Sequence, residues 1–334
     1  MNRVAVIGAG AWGTALACVA RRAKNETILW ARDPGLATTI NTSAENPSYL
    51  PGIPLVSGIK ATDDLAAATD GASAILLVVP AQFVRNVARE MAPDLQPGVP
   101  VAICAKGVEQ GTLALMSDVL TEVLPQAERV VLSGPTFAQE VARGLPTAVT
   151  LAAASTDIAA QMSDLIGTAR FRPYLSDDPI GAEIGGAVKN VMAIGCGIVA
   201  GMRLGDNGRA ALITRGLAEM TRLAVARGGR AETLMGLSGL GDLTLTCNAM
   251  QSRNFSLGVA LGEGRALGEI LSERRAVTEG VFSAGAIVAL ADSLGVEMPI
   301  CQAVDQVVNH GADIDKSIQA LLSRPFKRET RGAD

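Results

Sequence analysis

Histidine, aromatic residues and ordered cysteine patterns are scarce in this chain of 334 residues. It has one histidine, His310, and only 3% aromatic residues. Its cysteines lie in apolar stretches, without the C-x-x-C spacing of zinc sites or the pattern of a secreted disulfide framework: Cys18, Cys104, Cys196, Cys247 and Cys301. We therefore expect reduced core thiols, no bound metal and a cytoplasmic location. Because His310 precedes Gly311, we expect it at a helix carboxyl terminus, where it interacts with the helix dipole rather than acting in catalysis.

Long apolar runs and blocks of like charge are also absent. The mean hydropathy is +0.30, but the uncharged run Gly71–Val84 is shorter than the ~20 residues that cross a bilayer and contains Pro80. The longest uncharged run, Val4–Ala20, is also too short. Because the first residues already form a strand-like run, we expect no signal peptide. The formal net charge is −4, with no cluster of lysine or arginine. We expect neither membrane insertion nor a nucleic-acid partner.

The first half of the chain alternates short β-branched runs with helical stretches. The strand-like runs are Val4–Ile7, Thr27–Trp30, Ala74–Val79, Val99–Cys104, Val130–Leu132 and Ala148–Leu151. The helical stretches between them include Ala11–Ala23, Gln82–Met91 and Leu113–Leu124. Apolar strands separated by helices predict a parallel sheet covered on both faces. The fold class we expect is α/β, a Rossmann-type doubly wound sheet, over residues 1–178.

The pattern changes to helices alone at Asp178 and Pro179, which together resemble a helix N-cap with proline at the first helical position. The length of the chain favours two domains. We therefore predict an all-α domain over residues 179–325 and a flexible tail over residues 326–334.

Glycines at the end of the first predicted strand form a G-x-G-x-x-G pattern: Gly8, Gly10 and Gly13. The strand VAVI precedes it and the helical run TALACVA follows it, which is the context of a dinucleotide-binding turn. The first glycine permits the tight turn, the second lets the backbone approach a pyrophosphate, and the third lets helix pack on strand. The amide groups at the helix amino terminus would then hold the negative charge.

The end of the second predicted strand bears on the choice of cofactor. Arg32 there could pair with a 2′-phosphate, whereas Asp33 could belong to a turn with Pro34. This favours NADP, with NAD as a usable alternative.

Hydride transfer to a carbonyl needs a proton donor, and two lysines lie in suitable contexts. Lys106 ends the apolar strand VAIC, at the sheet edge where doubly wound folds bind ligands. Lys189 lies on a predicted helix and shares a face with small residues: Ala182, Gly185, Gly186 and Ala193. Partial desolvation there would lower its pKa toward the working range. The alternative for both lysines is a side chain that extends to solvent past a packing face.

Two further clusters lie in the predicted helical half. Asp242 follows a glycine-rich turn, with Thr246 four residues later; it could cap a helix or hold a lysine in position. Gln251–Asn254 offers a hydroxyl, a guanidinium and an amide, which together suit a phosphate but also suit an ordinary polar loop.

In combination, these motifs resemble the bacterial-type NAD(P)-dependent glycerol-3-phosphate dehydrogenases over nearly the full chain. The segments that carry the resemblance are VIGAGAWGTALA, CAKG, SGPTFAQEVARGLPTA, GGAVKNVMAIG, NGRAALITRGLAEM, GLGDLTLTC, QSRN and GVEMPI. The resemblance implies interconversion of dihydroxyacetone phosphate and sn-glycerol 3-phosphate with NADPH or NADH, feeding phospholipid synthesis. It also implies a homodimer.

The resemblance implies roles for individual residues as well. Lys189 matches the proton donor and acceptor. The matching substrate-binding positions are Lys106, Gly134, Thr136, Lys189, Asn190, Asp242, Thr246, Ser252, Arg253 and Asn254. The matching cofactor positions, beside the three glycines, are Ala11, Trp12, Arg32, Lys106, Ala138, Arg253, Val277 and Glu279.

Two other functions fit parts of this pattern. One is a dehydrogenase of similar architecture that acts on a 3-hydroxy acid or a sugar-acid phosphate, although Gln251–Asn254 disfavours an unphosphorylated substrate. The other is a dinucleotide-sensing module without catalysis, which would not need Lys106 and Lys189.

Overall fold

A computed structural model describes residues 1–274 and 277–326. Of the predicted tail, residues 327–334 lie outside the described residues. The strands are β1 (Arg3–Ile7), β2 (Glu26–Trp30), β3 (Glu45–Asn46), β4 (Leu50–Pro54), β5 (Ile59–Thr62), β6 (Ala74–Leu77), β7 (Pro100–Ile103), β8 (Glu128–Ser133), β9 (Thr147–Ala152) and β10 (Phe171–Ser176). Eight of them form one sheet in the order β10-β9-β8-β7-β6-β1-β2-β5, while β3 and β4 form a separate antiparallel hairpin.

The predicted doubly wound sheet is confirmed, and all six predicted strand runs are strands. Along β1, Val4 and Val6 belong to one apolar cluster, and Ala5 and Ile7 belong to another on the opposite face. Such burial on both faces explains why the central strands are continuous apolar runs. The outer strands β5 and β10 were not predicted. The sequence signal is weak there because β5 and β10 lie at the two edges of the sheet and carry exposed side chains, and β10 also contains Pro173.

The sheet is not wholly parallel, because β9 runs antiparallel to β8. The connection between them contains the six-residue helix Ala138–Arg143. A helix of that length rises only about 9 Å, whereas the six residues of β8 span about 20 Å. The connection is therefore too short to return to the end of the sheet where β8 begins, and β9 runs in the opposite direction to β8.

Helices cover both faces of this sheet. They are α1 (Ala11–Arg22), α2 (Pro34–Ser43), α3 (Leu65–Thr69), α4 (Val84–Met91), α5 (Met116–Val123), α6 (Ala138–Arg143) and α7 (Thr156–Ile166), with a 3₁₀ turn at Ala81–Phe83. The three predicted helices are present. The third begins later than predicted because Leu113 has φ of 60°, outside the helical region.

Beyond Ser176 the described part of the chain is helical and contains no strand. Its helices are α8 (Pro179–Gly201), α9 (Gly205–Ala226), α10 (Ala231–Leu234), α11 (Asp242–Thr246), α12 (Arg253–Gly262), α13 (Leu267–Ser272), α14 (Glu279–Ser293), α15 (Pro299–His310) and α16 (Ile314–Leu322). As predicted, Asp178 caps α8 by accepting a hydrogen bond from the Gly181 amide at 2.9 Å. His310 ends α15, and Gly311 follows with φ of 68°. All five cysteines are buried and free.

The helix α8 is the core of the helical half. It is long and apolar enough to cross a membrane, but 89% of its most apolar window is buried inside the protein. It crosses α12 almost backbone to backbone. A Cβ atom on Gly197 would lie 2.1 Å from the Phe255 carbonyl oxygen, and one on Gly258 would lie 2.1 Å from that of Ile194. We call this crossing the glycine seam; it holds α12 at a fixed position beside α8.

Candidate active site

The turn between β1 and α1 is shaped for close approach by a ligand. Gly8 has φ of 119°, and a Cβ atom there would lie 3.0 Å from the carbonyl group of Val78. A Cβ atom on Gly13 would lie 1.8 Å from the Gly8 oxygen, so larger residues are excluded. Around Gly10, in contrast, a Cβ atom would meet no described atom within 4 Å. The turn is thus closed on the protein side and open above Gly10, as a dinucleotide pyrophosphate requires.

Polar groups at the amino terminus of α1 fit an anionic ligand. Among the described residues, no side chain caps this terminus, which begins at Ala11. Its first amide groups lack intrahelical acceptors and carry the positive end of the helix dipole. The Trp12 indole Nε1 is buried and has no partner among the described groups. These unsatisfied donors fit a phosphate-bearing cofactor.

Arg32 and Asp33 follow β2 and have different surroundings. Asp33 is the N-cap of α2 and accepts a hydrogen bond from the Gly35 amide at 2.9 Å. Arg32 is exposed and makes no hydrogen bond or ion pair within the described ranges. The guanidinium is thus available for a ligand, whereas the carboxylate is engaged by the helix.

Lys106, Lys189 and Asp242 converge between the two halves of the chain. One oxygen of the Asp242 carboxylate accepts a hydrogen bond from Lys106 Nζ at 2.6 Å, and the other accepts one from Lys189 Nζ at 2.6 Å. Asp242 is completely buried, and the lysine side chains are 13% and 8% exposed. Asp242 was expected either to cap a helix or to hold a lysine in position. The structure shows the second, with Lys106 and Lys189 both bound to it.

Burial sets the protonation of this cluster. Burial is the largest influence on Lys189 and lowers its pKa to about 8, against the opposing attraction of Asp242. Burial alone would raise the pKa of Asp242, but the charges of Lys106 and Lys189 outweigh it and hold that pKa below its ordinary value. Asp242 therefore stays ionised, and Lys189 can release or accept a proton near neutral pH.

Further hydrogen bonds orient the two lysines. Lys189 Nζ donates to Thr246 Oγ1 at 2.9 Å, one turn after Asp242 on α11. Lys106 Nζ donates to the Gly134 carbonyl at 3.2 Å, and that carbonyl also accepts from Thr136 Oγ1 at 3.2 Å. The ammonium group of Lys189 thus has a fixed direction between two partners.

The amino end of α12 lies beside α8. Ser252 caps α12 by accepting a hydrogen bond from the Phe255 amide at 3.2 Å. Asn254 Nδ2 donates to Asn190 Oδ1 at 2.9 Å, and Asn254 Oδ1 accepts from the Gly280 amide at 3.0 Å. Asn190, the residue after Lys189, therefore contacts the amino end of α12.

The segment before α14 joins the same region. Arg253 Nη1 donates to the Val277 carbonyl at 2.9 Å. Glu279 Oε1 accepts from the Ala81 amide at 3.4 Å. Burial raises the pKa of Glu279, although the charges of Arg253, Lys106 and Lys189 oppose this. No hydrogen bond or ion pair in the described part of the chain joins Arg32 or Ala138, at the start of α6, to these clusters.

The sequence analysis missed Asn46, which lies in β3. Its side-chain amide donates to the Ala9 carbonyl at 2.9 Å, within the glycine-rich turn. The two residues are far apart in sequence, and no local pattern marks an asparagine in a short hairpin. Among the described residues, no group of three or more His, Cys, Asp or Glu could hold a metal ion.

Two family models match most of the chain. One, described as NAD-dependent glycerol-3-phosphate dehydrogenase N-terminus, matches residues 3–159. The other, described as NAD-dependent glycerol-3-phosphate dehydrogenase C-terminus, matches residues 178–319. The first match spans the glycine-rich turn, and the second spans Lys189, Asp242 and the start of α12.

Individual relatives agree with these models. The chain is 58% identical over 329 residues to glycerol-3-phosphate dehydrogenase (NAD(P)+) of Parvibaculum lavamentivorans, covering 98% of each chain. It is 58% identical over 330 residues to the protein of the same name from Rhodospirillum rubrum, covering 98% of this chain and 94% of that one. The crystal structure of glycerol-3-phosphate dehydrogenase from Coxiella burnetii is 40% identical, with a TM-score of 0.93, over 97% of this chain and 99% of that one.

Proposed function

The chain belongs to the family of NAD-dependent glycerol-3-phosphate dehydrogenases, and on this premise we propose how its residues carry the reaction. The protein is an NAD(P)-dependent oxidoreductase that interconverts dihydroxyacetone phosphate and sn-glycerol 3-phosphate. Lys189 is its proton donor and acceptor. Family membership favours this substrate over a 3-hydroxy acid and favours catalysis over dinucleotide sensing.

The environment of Lys189 carries the proposal. Reduction of the ketone places negative charge on its oxygen, which a nearby acid must neutralise. Burial lowers the pKa of Lys189 to about 8. At pH 7 the lysine is therefore protonated in most molecules, and release of the proton costs less free energy than for an ordinary lysine. The nicotinamide, when bound, supplies or accepts the hydride. Lys189 holds the proton at Nζ, between Asp242 and Thr246, and transfers it to the substrate oxygen.

The remaining lysine-cluster residues position the substrate. Asp242 fixes the ammonium group of Lys189 from one side and Thr246 fixes it from another, while Lys106 holds the second oxygen of Asp242. Gly134 and Thr136 border Lys106 through hydrogen bonds. We assign the reacting end of the substrate to this cluster, together with Asn190.

The phosphate end of the substrate binds at the amino end of α12. Arg253 is exposed there, and its positive charge adds to that of the helix amino terminus. Ser252 and Asn254 flank it, and the bond between Asn254 and Asn190 ties this subsite to α8. A hydrogen bond to a charged group of this kind contributes about 1.5–3 kcal/mol.

The dinucleotide binds along the glycine-rich turn. Gly8, Gly10 and Gly13 shape the turn, Ala11 and Trp12 begin α1, and Arg32 lies free to pair with a 2′-phosphate. Lys106, Ala138, Arg253, Val277 and Glu279 border the cofactor toward the helical half. Because Asp33 is engaged as a helix cap while Arg32 is free, we propose a preference for NADPH over NADH.

The wider setting is also a proposal. The free, buried cysteines support a cytoplasmic location, and the substrate class supports a supply of glycerol phosphate for phospholipids. Family resemblance supports a homodimer. We place the division between the domains at residues 178 and 179, since β10 ends at Ser176 and α8 begins at Pro179, and residues 179–325 form the substrate domain.

An absorbance assay at the NAD(P)H band tests the activity. The purified protein should oxidise NADPH, and NADH less efficiently, when dihydroxyacetone phosphate is added. Absence of turnover with both cofactors contradicts the proposed reaction.

Lys189→Met tests the role of the lysine. The variant keeps the length of the side chain but has no transferable proton, so the turnover rate should fall by about 10² or more. Calorimetry should show nearly unchanged cofactor affinity. Lys60→Met is the matched control, because Lys60 is exposed and pairs with Glu26 at 3.2 Å, and it should leave the rate unchanged. Near-normal turnover of Lys189→Met in a folded protein would transfer the role to another group.

A further inference from the structure

The side chain of Asn46 is fully buried against the glycine-rich turn. Its Nδ2 donates to the Ala9 carbonyl at 2.9 Å and to Thr14 Oγ1 at 2.7 Å. Its Oδ1 accepts from the Tyr49 amide at 3.1 Å. Both hydrogens of the amide and its oxygen are therefore used, and Asn46 and Thr14 are both 0% exposed.

These bonds decide where one peptide group of the turn points. Ala9 lies between Gly8 and Gly10, and its carbonyl also receives a weak hydrogen bond from Thr14 Oγ1 at 3.5 Å. Because Asn46 is buried, the Ala9 oxygen faces the protein interior. The negative end of this peptide dipole is thereby kept away from the open side of the turn above Gly10. An oxygen on that side would repel a phosphate, whereas amide groups there attract one.

The hairpin that carries Asn46 is firmly anchored. Asn46 ends β3, and Leu50 and Ile53 of β4 are 0% and 2% exposed. Both belong to the same apolar cluster as Ala9 and Leu16 of α1. Packing of the hairpin against this cluster therefore holds the side-chain amide of Asn46 in place, outside the main sheet.

We propose that Asn46 is a positioning residue for the dinucleotide, acting through Ala9 and Thr14, an inference that rests on the proposed use of NADPH or NADH. It holds the turn in the form that presents amide groups to the cofactor phosphates before the cofactor arrives. Preorganisation of this kind raises affinity because the ordering is already complete.

The alternative is that Asn46 only stabilises the fold, and Asn25 offers a matched control. Asn25 is also buried, 3% exposed. Its Nδ2 likewise donates two hydrogen bonds, to the Ala20 carbonyl at 3.1 Å and the Leu165 carbonyl at 2.6 Å. It lies at the carboxyl end of α1, at the opposite end of this helix from the turn. Asn25→Ala thus removes comparable bonds without touching the turn.

The test compares NADPH dissociation constants by calorimetry, thermal unfolding, and kcat and KM for Asn46→Ala and Asn25→Ala. Loss of the two hydrogen bonds to Ala9 and Thr14 should weaken NADPH binding to Asn46→Ala by about tenfold. The KM for NADPH should rise in parallel, and kcat at saturating cofactor should stay within about twofold. Asn25→Ala should lose thermal stability but bind NADPH within about twofold of the unaltered protein.

Two further variants keep the inference testable if Asn46→Ala does not fold. Asn46→Asp keeps the acceptor for the Tyr49 amide but loses both donors and adds a negative charge, so NADPH binding should weaken more than tenfold. Thr14→Val removes one partner and should weaken it less. An unchanged dissociation constant in folded Asn46 variants overturns the inference. Absence of NADPH and NADH binding by the unaltered protein instead contradicts the proposed function.

Discussion

Replacing Asp242 with asparagine, a side chain of the same size without the charge, should move the pH dependence of the reaction. The carboxylate is completely buried and lies 2.6 Å from each ammonium nitrogen. At an effective dielectric constant of ~20, two unit charges at such a distance attract each other by about 6 kcal/mol. Removal of one partner from a buried pair costs about 3–5 kcal/mol in practice. If Lys189 loses about 3 kcal/mol of this attraction, its pKa falls by about two.

The sign of the effect depends on the direction of the reaction. If Lys189 is the proton donor, as proposed, reduction of the ketone needs its protonated form, and kcat/KM of the unaltered protein should decline as pH rises through about 8, the pKa of Lys189. In Asp242→Asn this decline should occur about two pH units lower, and reduction at pH 7 should fall by about tenfold. Oxidation of the alcohol needs the neutral lysine, so its rising limb should move to lower pH by the same amount.

The assay is a pH series of kcat/KM in both directions, with thermal unfolding to check the fold. Asp118→Asn is the control, because Asp118 pairs with Arg227 at 2.7 Å outside the lysine cluster, and its profile should match that of the unaltered protein. If Asp242→Asn is folded and active and its kcat/KM declines at the same pH as in the unaltered protein, Lys189 is not the titrating group.

Two further predictions address the cofactor and stability. Arg32→Ala should raise the KM for NADPH about tenfold and leave that for NADH nearly unchanged, because only NADPH carries the 2′-phosphate; equal effects in steady-state assays would show that Arg32 does not read this group. Glu183→Gln should remove a pH dependence of stability. Burial raises the pKa of Glu183 to about 7, although the hydrogen bonds from Ser117 oppose this. The folded state therefore binds the Glu183 proton more tightly than the unfolded state does. The stability that this proton contributes is lost as pH rises through about 7. In urea unfolding, the unfolding free energy of Glu183→Gln minus that of the unaltered protein should rise by about 2–3 kcal/mol from pH 5 to pH 8. A difference that stays constant with pH would contradict the assignment.

Local features of the sequence predicted the architecture well. The glycine-rich turn was identifiable because strand, turn and helix lie within a few adjacent residues. The cap formed by Asp178 and Pro179 was identifiable for the same reason. The antiparallel step at β9 was not, since it depends on the length of α6 relative to the sheet rather than on any residue pattern. The edge strands β5 and β10 were missed because their side chains are partly exposed.

Of the predicted site residues, the structure brings Lys106, Lys189 and Asp242 together, through contacts that the sequence did not predict. Lys106 and Lys189 stood out because lysine is unusual at the end of an apolar strand and on a face of small residues. Their shared partner, Asp242, could not be distinguished from a helix cap, because Lys106 and Asp242 are 136 positions apart. The bonds of Asn46 to the turn depend on the placement of a hairpin outside the sheet. Such long-range contacts follow from packing and leave no periodic signal in the sequence.

The glycine seam has a consequence for the evolution and redesign of substrate length. The seam fixes the distance between α8, which carries Lys189, and α12, whose amino end carries Arg253, by contact between main chains. Side-chain substitutions at the two ends can therefore change the groups that face a ligand, but not the separation of the two main chains that carry them. A side chain at Gly197 or Gly258 would force the two helices apart, because a Cβ atom on either would lie 2.1 Å from a carbonyl oxygen of the facing helix. If the substrate binds between Lys189 and Arg253, as proposed, main-chain contact limits the substrate length that fits.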